Sequence, residues 1–327
     1  MILHPSNLMC LFILALSIFT MLSSKSWLVI WVMLEINVLV FIPLLMTNKT
    51  KYQSEMSLKY FLTQTICSVV FLSSFWAIKM NPSLFSFFTM SALLVKMGAA
   101  PFHQWLLAIT ESVSWLNMVL LLIFQKLGPL FTLFLLNTLN HKTLLTLTLV
   151  AVNAFLGSVG AISQTSLRKI MMYSSISHMS WLLLSMMLKS TFWLLYFTVY
   201  ACVSASLMLS FSKMKLNKIM DLLGHNNRKL KNSLNLSLLS LAGLPPFSGF
   251  YPKMLIISNT TSSGFTLYLL PVILGSVISL FFYLRLAFFS VMKATNKSIW
   301  KQQTTFMQKK LIFLNLIVLP AGALILI

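Results

Sequence analysis

Acidic side chains are almost missing from this sequence: Asp and Glu together number 4 in 327 residues, against 24 Lys and Arg. Charged residues of both signs make up only 9%, while 58% of the chain is hydrophobic. So few polar side chains cannot cover a water-facing surface, which excludes a soluble globule. No polar stretch exceeds about 20 residues, so no folded soluble domain fits beside the apolar one. The three cysteines, Cys10, Cys67 and Cys202, all lie inside apolar runs with no CxxC or Cys/His spacing. They read as small packing residues rather than a disulfide or metal framework. A glycine-rich phosphate loop, a metal-ligand cluster and a nucleophile elbow are also missing, so neither redox nor group-transfer chemistry is expected of this chain.

What is there is a succession of apolar runs. A membrane span needs roughly 20 apolar residues, and about eleven runs meet that measure: residues 8–22, 27–46, 59–78, 84–107, 113–136, 143–163, 170–188, 191–212, 234–257, 265–290 and 311–327. Each span must satisfy its own backbone groups, and barrel strands would alternate polar and apolar residues, so helix is the expected state throughout. The expected fold is an all-α polytopic membrane protein with about eleven transmembrane helices in a single membrane domain. Ala154, Gly157, Ser158 and Ala161 have the small-xxx-small spacing that lets helices approach closely.

The formal charge of +20 could suggest nucleic acid, but the basic residues sit singly or in short groups between apolar runs and form no basic face. Membrane topology accounts for them better. Counted over the expected loops and helix ends, sixteen of the 24 Lys and Arg fall on the side that holds the N-terminus. The other side holds only Lys25, Lys79, Lys142 and Lys189, and Lys96, Lys126, Lys253 and Arg285 lie inside runs. The N-terminus is therefore expected on the positive, cytoplasm-like side, and an odd number of spans puts the C-terminus across the membrane.

Two runs carry the same interruption. Residues 96–102 read KMGAAPF and residues 241–253 read LAGLPPFSGFYPK, so Gly98…Pro101-Phe102 repeats as Gly243…Pro246-Phe247, with Pro245 beside it. Proline removes a backbone donor and glycine loosens the helix, so carbonyls are left without intrahelical partners at membrane depth. A pair of Gly/Pro-interrupted segments in corresponding positions of two halves is the mark of a transporter built from inverted repeats, with an ion site beside the broken helices.

Ionisable residues inside a membrane cost about 2.5–3.5 kcal/mol each on insertion, so they are functional candidates by default. Here they are Glu35, Lys96 before the first break, Lys126 in FQKLGPL, and Lys253 after the second break. An apolar environment favours the neutral form of either group, and proximity of opposite charges favours the charged forms. A lysine beside Glu35 should hold its proton and release it when the pair separates. The alternative is that these groups merely pair with one another or reach for an interface. His178, among Ser174, Ser175 and Ser177, is ten residues past Arg168, about 15 Å along a helix. It can be read as a proton relay or as an ordinary hydrogen-bonded interior histidine. His103 is a weaker candidate of the same kind. Glu55, Glu111 and Asp221 read as solvated charges, and Arg285 as a snorkelling or packing arginine.

The segments WVMLEINVL, LLVKMGAAPFHQWL, FQKLGPL, SLRKIMMYSSISHMSW and LAGLPPFSGFYPK resemble the motifs of the NADH-ubiquinone oxidoreductase chain 2 family, the mitochondrially encoded antiporter-like subunits of respiratory complex I. The resemblance runs over nearly the whole chain. It implies two inverted five-helix repeats with discontinuous helices, approximately residues 1–138 and 139–292, plus a C-terminal helix in 293–327, the shortened animal form. It assigns proton transfer to Glu35, Lys96, Lys126, His178 and Lys253. It also implies a place in the mitochondrial inner membrane, among other membrane-arm subunits, with protons moving from matrix to intermembrane space and the positive side facing the matrix. NADH, FMN, iron–sulfur clusters and ubiquinone are then expected in other subunits, none bound by this chain. Only His4 precedes the first run, and no Arg-rich leader is expected, as suits a protein made inside the organelle. Two other readings stay open: a cation/proton antiporter subunit using the same lysines, and a purely structural membrane-arm subunit using none.

Overall fold

The positions of Ser, Pro and Gly between the apolar runs set where each helix begins and stops. In the computed structural model, residues 5–46, 50–78, 81–136, 144–188, 191–223 and 227–292 are described. Among them every regular element is helical, and the sole β pairing is an isolated bridge between Ser166 and Lys218. The expected C-terminal helix in 293–327 lies outside the described residues. The chain divides into two compact units, Met1–Thr146 and Leu147–Ile327.

The first unit contains α1 (Pro5–Ser23), α2 (Trp27–Leu45), α3 (Lys51–Ile78), α4 (Pro82–Met97), α5 (Gln104–Ile109), α6 (Trp115–Leu122) and α7 (Phe124–Leu136). Helix α3 packs along α4, and α7 lies against α1, α2 and α4. Gly128 makes the last contact possible, since a Cβ there would stand 2.9 Å from the Met21 Cε and 3.3 Å from the Leu34 Cδ2. Polar side chains tie the helices at their ends and flanks. Ser17 donates to Asn37 at 3.2 Å between α1 and α2, and the Asn117 amide donates to the Leu44 carbonyl at 2.5 Å, one of the orphan acceptors at the C-terminal end of α2.

The run expected over residues 113–136 is not one continuous helix: it is interrupted at Ile123. Pro129 has no N–H to offer the Gln125 carbonyl, and its ring pushes against that carbonyl. Both residues lie inside α7, so the proline disturbs that helix's own first turns, six residues and fewer past the break.

The second unit holds α8 (Leu144–Ile162, whose first residues belong to unit one), α9 (Leu167–Met187), α10 (Phe192–Met214), α11 (Arg228–Ala242), α12 (Phe250–Ser262) and α13 (Thr266–Val291), with a short 3₁₀ turn at Ile219–Leu222. Helix α9 is the core: nearly all of its side chains are buried, five serines included. It is less apolar than α8, α10 and α13 because protein, not lipid, surrounds it, and its serine hydroxyls donate to carbonyls of their own helix three residues back, a bond that removes the cost of burying them. Small residues on α8 allow the approach. At Gly157 a Cβ would lie 2.4 Å from the Ser177 backbone nitrogen, and at Gly275 on α13 it would lie 2.9 Å from the Ala154 carbonyl oxygen.

One end of this unit is fastened by two charged side chains, Arg285, expected as a snorkelling or packing arginine, and Asp221, expected as a solvated charge. Arg285 donates to the carbonyls of Ile162 at 2.7 Å and Gln164 at 3.3 Å, closing the C-terminal end of α8. Asp221, although exposed, accepts the backbone N–H groups of Asn217 and Lys218 at 2.9 and 2.8 Å. Both therefore hold backbone in place. Among the described residues, α1, α2, residues 51–76 of α3, the α6–α7 segment, α10 and α13 are by length and composition long and apolar enough to cross a bilayer, six in all.

Gly157→Ala should destabilise the packing of α8 on α9 by about 1–3 kcal/mol, the usual cost of forcing volume into a filled contact. Ser158→Ala should be close to neutral, because that hydroxyl bonds only to its own helix. Thermal unfolding of the purified complex and its assembled yield would separate the two; equal effects would remove the close-approach account.

Candidate functional site

The two Gly-Pro interruptions are real helix ends, and each organises a set of buried polar groups. In the first unit, α4 stops at Met97 because Gly98 takes φ 67° and ψ 33°, the left-handed conformation that suits glycine. The chain passes through Pro101 and His103 before α5 resumes at Gln104. Carbonyls freed in the last turn of α4 find donors on neighbouring elements. The Trp105 indole donates to Val95 at 3.0 Å, the Gln64 amide to Lys96 at 3.4 Å, and the Ala99 N–H to Leu94 at 3.0 Å.

Lys96 sits in that last turn, where the negative end of the helix dipole favours a cation. Its Nζ lies 3.3 Å from the Glu35 Oε1 on α2, with 2% of the lysine side chain exposed and 20% of the glutamate. Lys126, 2% exposed, is carried by α7, which packs against both of the helices that bear this ion pair. Beside it, the Gln125 side-chain Oε1 accepts from the Tyr60 hydroxyl at 3.3 Å. Tyr60 itself is wedged between the rings of Phe41 and Trp105, at centroid distances of 5.3 and 5.9 Å.

In the second unit α11 stops at Ala242, with Gly243 at φ 78° and ψ 38°, and α12 resumes at Phe250 after a turn containing Pro245 and Pro246. Lys253 lies in the first turn of α12 and reaches back across the break. Its Nζ donates to the Ala242 carbonyl at 2.9 Å and stands 3.5 Å from that of Leu241, so the ammonium occupies the negative end of α11. The Trp181 ring centroid is 5.8 Å away, within range of a cation–π attraction. Gly243 has a second duty here, because a Cβ would come 2.7 Å from that Nζ.

His178 projects from α9 into the same region. Its Nδ1 is 2.7 Å from the Tyr196 hydroxyl on α10 and its Nε2 is 3.4 Å from the Tyr283 hydroxyl on α13. The Tyr200 ring packs at 5.0 Å. Two small cavities are lined by both His178 and Lys253. One also meets Tyr196, Tyr200 and Ser240, the other Ser177, Ser180, Ser276 and Ser279. Each leaves about 10 Å³ for the centre of a water molecule, the scale of one water site.

Of the residues singled out in the sequence, Glu35, Lys96 and Lys126 thus fall in the first unit, and His178 and Lys253 in the second. Tyr60, Gln125, Trp181, Tyr196 and Tyr283 were missed. The available signal was a hydroxyl, amide or indole within an apolar run, which must find a partner once buried. Among the described residues, no three His, Cys, Asp or Glu side chains come together as a metal site would need.

Residues 74–279 match the model of the family described as NADH:quinone oxidoreductase/Mrp antiporter, a transmembrane class. Within that class the likeness is more particular. The chain is 39% identical over 316 residues to the NADH-ubiquinone oxidoreductase chain 2 of Anopheles gambiae, covering 93% of this chain and 91% of that one. It is 38% identical over 286 residues to the protein of that name from Artemia franciscana, covering 87% and 89%. The chain belongs to the NADH-ubiquinone oxidoreductase chain 2 family. Its fold is also that of a chain in respiratory complex I from Thermus thermophilus, with a TM-score of 0.86 at 20% identity, over 98% of this chain and 78% of that one.

Gly243→Ala should displace the Lys253 ammonium from the α11 carbonyls and put alanine at a positive φ. Cross-linking between Cys pairs placed on α11 and α12 would read the displacement. Unchanged proximity would mean that Gly243 serves the turn alone.

Proposed function

We propose that this chain is a proton-translocating membrane-arm subunit of respiratory complex I. It couples NADH:ubiquinone oxidoreduction, carried out on NADH, FMN, iron–sulfur clusters and ubiquinone held by other subunits, to proton movement from the mitochondrial matrix to the intermembrane space. Its partners are the other subunits of the membrane arm. The observation that carries this reading is the Glu35–Lys96 pair at 3.3 Å, with the lysine buried and the glutamate partly so, set where a helix is interrupted.

The chemistry follows from the cost of an unpaired charge. Breaking a buried ion pair by removing one partner costs on the order of 3–5 kcal/mol. Drawing Glu35 away from Lys96 leaves the ammonium in a setting that disfavours its charge, so the proton passes to a neighbouring site; bringing Glu35 back restores the charged lysine. Lys126, on the helix that packs against both partners, receives or supplies that proton. His178 and Lys253 repeat the arrangement in the second unit, where a helix C-terminus takes the place of the carboxylate.

In this reading the chain has eleven spans, with two inverted five-helix repeats over about 1–138 and 139–292 and a C-terminal helix in 293–327. Matching breaks at Gly98 and Gly243 support the repeats. The sixteen-to-four division of basic residues supports an N-terminus in the matrix and a C-terminus in the intermembrane space.

Assembled complex carrying Lys126→Ala, sealed in vesicles, should transfer electrons with a clearly lower proton yield per electron pair. Full assembly with an unchanged yield would leave the lysines a structural role. Dependence of the yield on a sodium gradient in the same vesicles would instead favour cation/proton antiport.

A further inference from the structure

Two of the eight tyrosines in this chain grip the two ring nitrogens of one histidine. Tyr196 and Tyr283 are 3% and 0% exposed, and a buried hydroxyl is costly unless partnered. The chain uses 26 phenylalanines where it needs only a ring. Here the hydroxyls are therefore the point of the choice, and they come from different helices, α10 and α13, to opposite nitrogens of His178.

The arrangement has a direction. Tyr283 lies two residues, about 3 Å along α13, from Arg285, which binds the carbonyls that end α8 just before the start of α9. That start is the end where Arg168 and Arg285 lie. Tyr196 belongs to the first turns of α10, so it lies toward the opposite end, and it lines the water-sized cavity shared with His178 and Lys253. From the basic end the order is Tyr283, His178, Tyr196, cavity, Lys253.

We infer that Tyr283 and Tyr196 are hydroxyl relays that carry a proton through His178 to Lys253, an inference that rests on the proton-translocation reading above. A hydroxyl donates and accepts at once, and a neutral imidazole has one N–H and one lone pair. Starting with the proton on Nδ1, Tyr283 gives its hydroxyl proton to Nε2 and takes one from the basic end. The imidazolium gives the Nδ1 proton to the Tyr196 oxygen, Tyr196 passes its own to a water in the cavity, and the water protonates Lys253 once that ammonium has passed its own proton onward. One proton enters and one leaves, and only O–H and N–H bonds change.

The ring ends as the opposite tautomer, so a second proton must wait until ring and hydroxyls turn back. The relay passes one proton per reset. The two links differ in length, 2.7 Å at Nδ1 and 3.4 Å at Nε2, so the second is the weaker hydrogen bond.

The test is proton yield per electron pair in assembled complex in sealed vesicles, with electron transfer and assembly measured in parallel, for Tyr196→Phe, Tyr283→Phe, the double variant and His178→Gln. Consecutive links predict that each single variant loses as much yield as His178→Gln and that the double variant loses no more than either single one, the non-additivity of groups acting as a unit. Should Tyr283→Phe fail to assemble, Tyr196→Phe set against His178→Gln decides alone: equal losses are expected, and wild-type yield in Tyr196→Phe overturns the relay. Wild-type yield in either tyrosine variant, with His178→Gln impaired, overturns the relay and leaves the proposed function standing. A double variant that loses the sum of the singles also overturns it, because structural damage adds. Wild-type yield in His178→Gln overturns the relay together with the role proposed for that histidine.

Discussion

A helix that stops inside an apolar layer leaves carbonyl groups that water cannot reach, and the rest of this structure depends on how two such ends are satisfied. Four carbonyls at the end of any helix lack intrahelical donors. At Gly98 and Gly243 a left-handed glycine supplies two of the missing bonds from the chain itself. The remainder come from side chains that the fold must bring in, among them the Trp105 indole, the Gln64 amide and the Lys253 ammonium. Each donor fixes the position of its own helix, so the breaks are also the points from which the packing is set.

The two breaks solve the same problem with the lysine on opposite sides of the gap. Lys96 precedes its glycine, complements the dipole of its own helix and reaches out to a carboxylate on α2. Lys253 follows its glycine, turns back and binds the carbonyls of the helix before it. A carboxylate can move away or take a proton, whereas backbone carbonyls can do neither. The first unit therefore has a partner that can be withdrawn electrically, while the second must change the ammonium's surroundings by moving α12 or by altering the water-sized cavities beside it. The serines lining one of those cavities and the tyrosines around the other give α9 its polar interior, which explains why the most buried helix of the unit is among the less apolar ones.

Much of this could be read from the chain alone. Apolar runs of about 20 residues force helices, and the Gly-x-x-Pro-Phe repeat located both interruptions. Isolated charges in apolar surroundings drew attention to Glu35, Lys96, Lys126 and Lys253. The interruption at Ile123 was not foreseen, because no glycine or proline marks that position within a segment that otherwise reads as one run. Arg285 looked like a snorkelling or packing arginine and Asp221 like a solvated charge, since nothing local marks them as caps for backbone that is distant in sequence or folded back. Tyr196 and Tyr283 were passed over for a similar reason: in a run of apolar residues a tyrosine looks like any aromatic ring.

The sequence by itself determined the solvent, the helical secondary structure and the two Gly-Pro breaks, because these follow from side-chain transfer energies and from the backbone chemistry of glycine and proline, which act locally. Only the tertiary structure decided which charges and hydroxyls meet. The 61 residues between Glu35 and Lys96, and the 105 between His178 and Tyr283, are bridged by helix packing. That packing depends on close approaches at Gly128, Gly157 and Gly275, and a glycine in a sequence does not say which helix will fill the space it leaves.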